Sequence, residues 1–221
     1  MCNFICIIFA SSKRNKIENC VIRFMRSIIH IILISFLITA CRDEGSEQGD
    51  LLFEEGKYDE AIAKYDEYLR MKPAHLKTIY NRGRAYEELG NYEKAKEDFS
   101  RVLEIDPANV SAYLSLGNYF YRSNEFSNAY FYYDLAIQHD INSAQGYLLR
   151  GKTSHKMGQF RDALSDYNTA IRIDKTLGEA YLSRGAIEIL QNQKTRACAD
   201  FQIANSLGVR DASEPLKKYC Q

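Results

Sequence analysis

In residues 76–109 the apolar positions fall on two helical stripes separated by a turn. Ile79, Arg82, Gly83, Tyr86 and Leu89 recur at intervals of three and four and mark one face of a first helix. Ala95, Phe99 and Val102 follow at i, i+4 and i+7 and mark a second. Gly90-Asn91 interrupts the two stripes. Glycine suits a left-handed helix end and asparagine the cap of the next helix. Asp106-Pro107 closes the second helix, because the residue before proline is pushed out of the helical region.

The same pattern recurs at a fixed period. Gly49, Gly83, Gly117, Gly151 and Gly185 stand 34 residues apart, and so do Ala61, Ala95, Ala129, Ala163 and Ala197. Tyr65, Phe99, Tyr133, Tyr167 and Phe201 form a third column. With 12 glycines in 221 residues, four more in register by chance has a probability on the order of one in 10^5. The units are 42–75, 76–109, 110–143, 144–177 and 178–211, with no gap. Glycine and alanine mark the places where two helices cross closely, and the aromatic fills the volume beside each crossing. Tyr113, Tyr147 and Tyr181 repeat on the first helix and are expected to cover the neighbouring unit. After residue 211, Ser213 is a candidate cap, Pro215 sits in a first turn, and Leu216 and Tyr219 share an edge, so 212–221 is expected to form a short capping helix.

These columns resemble the tetratricopeptide repeat, matching it in the second unit at Gly83, Tyr86, Ala95, Phe99 and Pro107. The resemblance spans 42–211 and implies an all-α solenoid of five stacked helix-turn-helix repeats with a terminal cap. Three departures stand out. The proline survives only as Pro73 and Pro107, with Ile141, Lys175 and Val209 later, so the later turns are expected to be looser. Gly45 replaces a large apolar residue, which predicts a short, frayed first helix. Glu188 takes a place where an aromatic or small apolar residue is usual.

Residues 1–40 read differently. Ser27 to Ala40 carries no charged side chain and follows Arg23 and Arg26. At 14 residues it is too short for the roughly 20 that span a bilayer, but it fits the apolar core of a signal peptide. It ends in Leu37-Ile38-Thr39-Ala40-Cys41, which resembles the bacterial lipobox. That resemblance implies cleavage before Cys41, lipid on Cys41, and a mature protein beginning there. Cys41 lies far from Met1 for such a signal, and Met25-Arg26 would open one of ordinary length. Arg42 follows the cysteine, where enterobacterial lipoproteins kept at the inner membrane carry Asp, so the outer membrane is favoured. Arg42-Asp43-Glu44 also resembles surface-export signals, leaving the periplasmic or surface face open. With Cys41 lipidated, Cys198 and Cys220 are the two cysteines left in the mature chain. They either form one disulfide in an oxidising compartment or stay reduced as small, half-buried hydrophobes.

Composition and charge remove several functions. The chain is 46% hydrophobic and 26% charged, with a formal net charge of zero, which gives no electrostatic case for nucleic acid. His75, His139 and His155 lack metal-ligand spacing, and the phosphate-loop and nucleophile-elbow motifs are absent. No enzyme activity, cofactor or small-molecule substrate is expected.

What remains is a surface for a protein or peptide partner, with membrane contact through the lipid on Cys41. In this family the fifth, ninth, twelfth and thirteenth places of each first helix point into the concave groove. Here the groove residues are Tyr80, Leu114 and Leu148 at the fifth, and Arg84, Asn118 and Lys152 at the ninth. Tyr121 and His155 occupy the twelfth, and Arg122 and Lys156 the thirteenth. Arg84, Arg122, Lys152 and Lys156 make a cationic centre suited to acidic segments. Leu114, Leu148 and Leu182 read either as an apolar trough or as ordinary packing between helices. Relatives that clamp a terminal carboxylate carry Lys or Arg and Asn at the fifth and ninth places; only Asn118 matches. The leading expectation is an envelope-anchored adaptor, the alternative a structural lipoprotein that self-associates.

Overall fold

The computed structural model describes residues 44–220, all helices and turns. Residues 1–40 and Cys41, and with them the expected signal peptide and lipidation site, lie outside the described residues. First helices are α1 (Glu44–Glu54), α3 (Leu76–Glu88), α5 (Val110–Arg122), α7 (Ala144–Lys156) and α9 (Gly178–Leu190). Second helices are α2 (Tyr58–Met71), α4 (Tyr92–Ile105), α6 (Phe126–His139), α8 (Phe160–Ile173) and α10 (Lys194–Ser206). A 3₁₀ turn (Arg210–Ala212) leads into α11 (Ser213–Tyr219). Each helix packs on its partner in the unit, and each second helix on the next first helix. This is an all-α solenoid.

The turn within each unit follows from one left-handed residue. Gly56, Gly90 and Gly158 have φ of +75°, and Asn124 and Asn192 take the equivalent place at 59° and 61°. That geometry lets the next amide reach back five residues, as in Asn91 N–H to the Tyr86 carbonyl at 2.8 Å. Asn91 itself makes no side-chain cap bond, contrary to the expectation; the backbone turn already seats the start of α4. Ser213 likewise is no cap: it lies inside α11 and its Oγ donates to the Arg210 carbonyl.

The turns at Ile141 and Lys175, which lack proline, close as the proline-bearing turn at Pro107 does. Ser143 N–H bonds the Asp140 carbonyl at 3.0 Å, as Asn109 bonds Asp106 at 3.2 Å in the proline-bearing turn. The cause is the aspartate. Asp106, Asp140 and Asp174 each accept the amide two residues on, at 3.1, 3.0 and 2.8 Å.

The glycine column is a close approach of helix to ring. A Cβ on Gly83, Gly151 or Gly185 would stand 2.7–2.8 Å from the Phe99, Tyr167 or Phe201 ring, and Gly49 and Gly117 are tighter still. Those rings and the alanine column are the core. Gly45 serves the same end: its backbone lies against the Tyr68 ring and α1 is helical from Glu44, so the expected fraying does not occur among the described residues. Tyr113 stacks on His139 of its own unit at 5.3 Å, and its hydroxyl reaches the preceding unit, donating to the Pro107 carbonyl at 3.0 Å.

A second, polar set of columns joins the units. Arg150 Nε and Nη2 grip the buried Asp166 of its own unit at 2.9 and 2.6 Å, while Nη1 reaches Asp134 of the preceding unit at 2.5 Å. Arg82 repeats this with Asp98 and Asp66, and Arg184 with Asp200 and Asn168. The carboxylates hold Arg82, Arg150 and Arg184 firmly charged. Unit three has Leu116 and Tyr132 at these places: Leu116 packs with Ala95 and Phe99 of unit two, and Tyr132 stacks on Phe120.

At the C-terminal end Ala212 is buried with Ala204 and Tyr181, so the turn and α11 close over the last unit. Cys198 of α10 and Cys220 beyond α11 are joined, with Cα atoms 5.6 Å apart.

Candidate functional site

The first helices carry two clefts at equivalent places. The N-terminal one, about 350 Å³, lies between units one and two and is lined by Asp50, Phe53 and Glu54 of α1, Tyr65, and Lys77, Asn81 and Arg84 of α3. The C-terminal one, about 360 Å³, is built from three successive units: Tyr121 of α5, Lys152, His155 and Lys156 of α7, and Leu182, Ser183 and Ala186 of α9. Tyr167 forms its floor. Small residues at the sixth and ninth places of α9, Ser183 and Ala186, leave this space open.

Around Asp50 the chemistry is closed. Tyr65 Oη, Asn81 Nδ2 and Lys77 Nζ all donate to its carboxylate, each at 2.8 Å. Burial pushes Asp50 up, but those donors outweigh it and hold the carboxyl below its usual range. Arg84 lies with its guanidinium 4.7 Å from the Phe53 ring centre. Unit three repeats the closure, with Tyr133 Oη donating to Asn118 Oδ1 at 2.8 Å.

The C-terminal cleft differs. Lys152 stands where Asp50 and Asn118 stand in their units, and it pairs with Glu179. Lys156 is exposed beside it. Burial, reinforced by the charge of Lys156, holds His155 below the usual imidazole range, so it is neutral at pH 7. Its ring packs edge-on against Phe160.

The expected groove residues divide. Tyr121, Lys152, His155 and Lys156 line one cleft and Arg84 the other. Arg122 folds back onto unit two, with its guanidinium over Tyr92 and an ion pair to Glu87 at 3.5 Å. Leu148, expected in the groove, is 1% exposed and sits in the core with Tyr167 and Ile187, where no partner reaches. Tyr80 is mostly packing as well, tilted on Phe99 with its hydroxyl 3.3 Å from Ser115 Oγ. Leu114 is half-buried and lines neither cleft, so the apolar trough reduces to Leu182. The sequence reading does not reach Tyr167 and Ser183; the available signal was the lysine at the ninth place of a unit whose aromatic is tyrosine.

A further cleft, about 460 Å³, opens elsewhere, between α8 and the α9–α10 pair. Its charges are largely spent on the Arg184–Asp200 pair, and burial pushes Glu188 above its usual range. Among the described residues no group of three or more His, Cys, Asp or Glu could hold a metal ion, and no helix is long and apolar enough to cross a membrane.

Family models described as tetratricopeptide or TPR repeats match residues 49–90, 77–109 and 144–177. No curated protein matches the chain by sequence. Among solved structures, a tetratricopeptide repeat protein from Parabacteroides merdae is 26% identical with a TM-score of 0.63, over 80% of this chain and 70% of that one. MamA is 25% identical with a TM-score of 0.64, over 75% of this chain and 96% of that one. YrrB, described as a TPR protein with an unusual peptide-binding site, shares the fold at 19% identity and a TM-score of 0.62, over 83% of this chain and 97% of that one. Helix pairs, their 34-residue columns and these likenesses agree: the chain is a tetratricopeptide-repeat protein, a scaffold for protein–protein interaction.

Proposed function

We propose that this chain is a lipid-anchored adaptor of the bacterial envelope that holds an extended segment of a partner protein along its first helices. The observation that carries the reading is the cleft shared by α5, α7 and α9. A site built from one face of successive repeats suits a linear ligand, which meets equivalent places as it passes each unit. Lys152, Lys156 and Arg84 give that face a basic character, which steers acidic segments and raises their rate of encounter. The peptide-binding site attributed to YrrB is in keeping with such a ligand.

The charge-reversed protein Arg84→Glu, Lys152→Glu tests it. Partner captured by cross-linking in the native cell should fall at least about tenfold, on the order of 1.4 kcal/mol, while helical circular dichroism stays unchanged. Undiminished capture would move the site to the second helices or the turns.

The anchor rests on the ending Thr39-Ala40-Cys41 after an uncharged core. The Cys198–Cys220 bridge is in keeping with an oxidising compartment outside the cytoplasm, and Arg42 favours the outer membrane. Replacing Cys41 by Ala should abolish incorporation of labelled fatty acid and leave precursor uncleaved. Labelling that persists in Cys41→Ala would defeat the assignment.

A further inference from the structure

Units one, three and four each carry tyrosine in the aromatic column, and in two of them the protein supplies an oxygen to its hydroxyl. Tyr65 donates to Asp50 and Tyr133 to Asn118, both at 2.8 Å. In unit four the ninth place is Lys152, which offers no acceptor. Tyr167 is fully buried, and among the described residues its hydroxyl has no hydrogen-bond partner in acceptable geometry. Ser183 lies beside it, where Asn81 lies beside Tyr65, close enough to offset part of the upward push that burial gives the phenol. A buried hydroxyl left without a partner is costly, so such a group marks a place where something else supplies the bond.

The two junctions are also charge-swapped. Asp50 pairs with Lys77 across units one and two, whereas Lys152 pairs with Glu179 across units four and five. The swap removes the carboxylate from the hub and leaves the donors. Tyr167, Ser183, Lys152 and Lys156 then line a cleft of about 360 Å³, and no acidic residue lines it.

We propose that this cleft holds a carboxylate of the bound partner, whose oxygens take the place that the Asp50 carboxylate takes between units one and two. The inference rests on the first-helix face being the partner-binding face, and it names the group that is read there. Tyr167 donates the floor hydrogen bond, Ser183 the lateral one, and Lys152 exchanges Glu179 for the ligand. The carboxylate comes from an acidic side chain or from a chain terminus, and both offer the same oxygens.

Three Gly-Ser pentapeptides serve as probes in a nuclear magnetic resonance titration of the labelled protein. One is capped at both ends with a central glutamate, one is capped with glutamine, and one carries glutamine and a free C-terminal carboxylate. Saturable shifts at Ser183 and Ala186 are expected from at least one carboxylate-bearing probe and not from the capped glutamine peptide. The probe that binds identifies the source. Tyr167→Phe should weaken that binding about tenfold or more with no loss of thermal stability, because Phe99 and Phe201 already fill the same place in units two and five. The double variant Lys152→Asp, Glu179→Lys, which rebuilds the closed hub of unit one, should abolish it. Equal binding of the glutamine peptide, absence of binding by all three, or full binding by Tyr167→Phe would each overturn the proposal. The groove reading is judged separately, because it stands or falls on partner capture by the Arg84→Glu, Lys152→Glu protein.

Discussion

Arg150→Ala should lower stability by about 3–5 kcal/mol in equilibrium urea unfolding, which is large for one side chain on a repeat surface. The size comes from burial. The Asp166 side chain is 8% exposed and both its oxygens are held by Arg150, so removing the guanidinium leaves a charge with neither water nor partner. An exposed pair would contribute no more than about 1 kcal/mol. Asp134 is 35% exposed and regains water, so it adds little. Arg150 also ties unit four to unit three, and a solenoid is stabilised by its nearest-neighbour junctions. Unfolding should therefore broaden, with the C-terminal units released first. The double variant Arg150→Leu, Asp166→Tyr places at this junction the apolar pair that unit three uses, Leu116 and Tyr132, and should recover most of the loss. A loss under about 1 kcal/mol in Arg150→Ala would show that the buried pair is not what couples these units.

Gly117→Val should cost roughly 3 kcal/mol, at the upper end of overpacking effects. Helix propensity alone argues the other way, since glycine inside a helix is the poorest choice after proline. Packing wins because a Cβ there would stand 2.6 and 2.9 Å from Cδ1 and Cζ of the Tyr133 ring. The ring cannot withdraw: it is 1% exposed and its hydroxyl is fixed on Asn118. Combining Gly117→Val with Tyr133→Leu removes the obstruction, so the double variant should lose less than the two single losses summed. Strict additivity would contradict the close approach as the reason for the glycine column.

Much of the fold was legible because its determinants are local and repeat. A left-handed turn residue, a glycine facing a ring and an alanine at each crossing all recur every 34 residues, and each can be read from one unit and checked in four others. The misjudged details are ones where two local devices do the same work. Proline is expected to set the turn between units, but in units two, three and four an aspartate at the preceding place closes that turn, and only the first of these has proline. The arginine columns were visible as Arg82, Arg150 and Arg184, yet pairing them with aspartates 16 residues away requires knowing how the two helices of a unit face each other.

The candidate site was harder to read. Helical spacing places a residue on the inner face but does not give its depth, so Leu148 at the fifth place is core while Leu182 at the same place lines a cleft. Arg122 shows the other difficulty: a long side chain at a groove place folds sideways onto Tyr92 and Glu87. Tyr167 gains meaning only by comparison with Tyr65 and Tyr133, once the bonds of all three are known.

The central claim is that a partner docks on the first helices. Its most direct measurement is site-specific photo-cross-linking in the native cell, with the reactive side chain at Ala186 in the cleft or at Phe131, exposed on the second helix α6. The account predicts a discrete protein adduct from position 186, none from 131, and disappearance of the adduct when Arg84 and Lys152 are changed to Glu. An adduct from position 131 with none from 186 would contradict it.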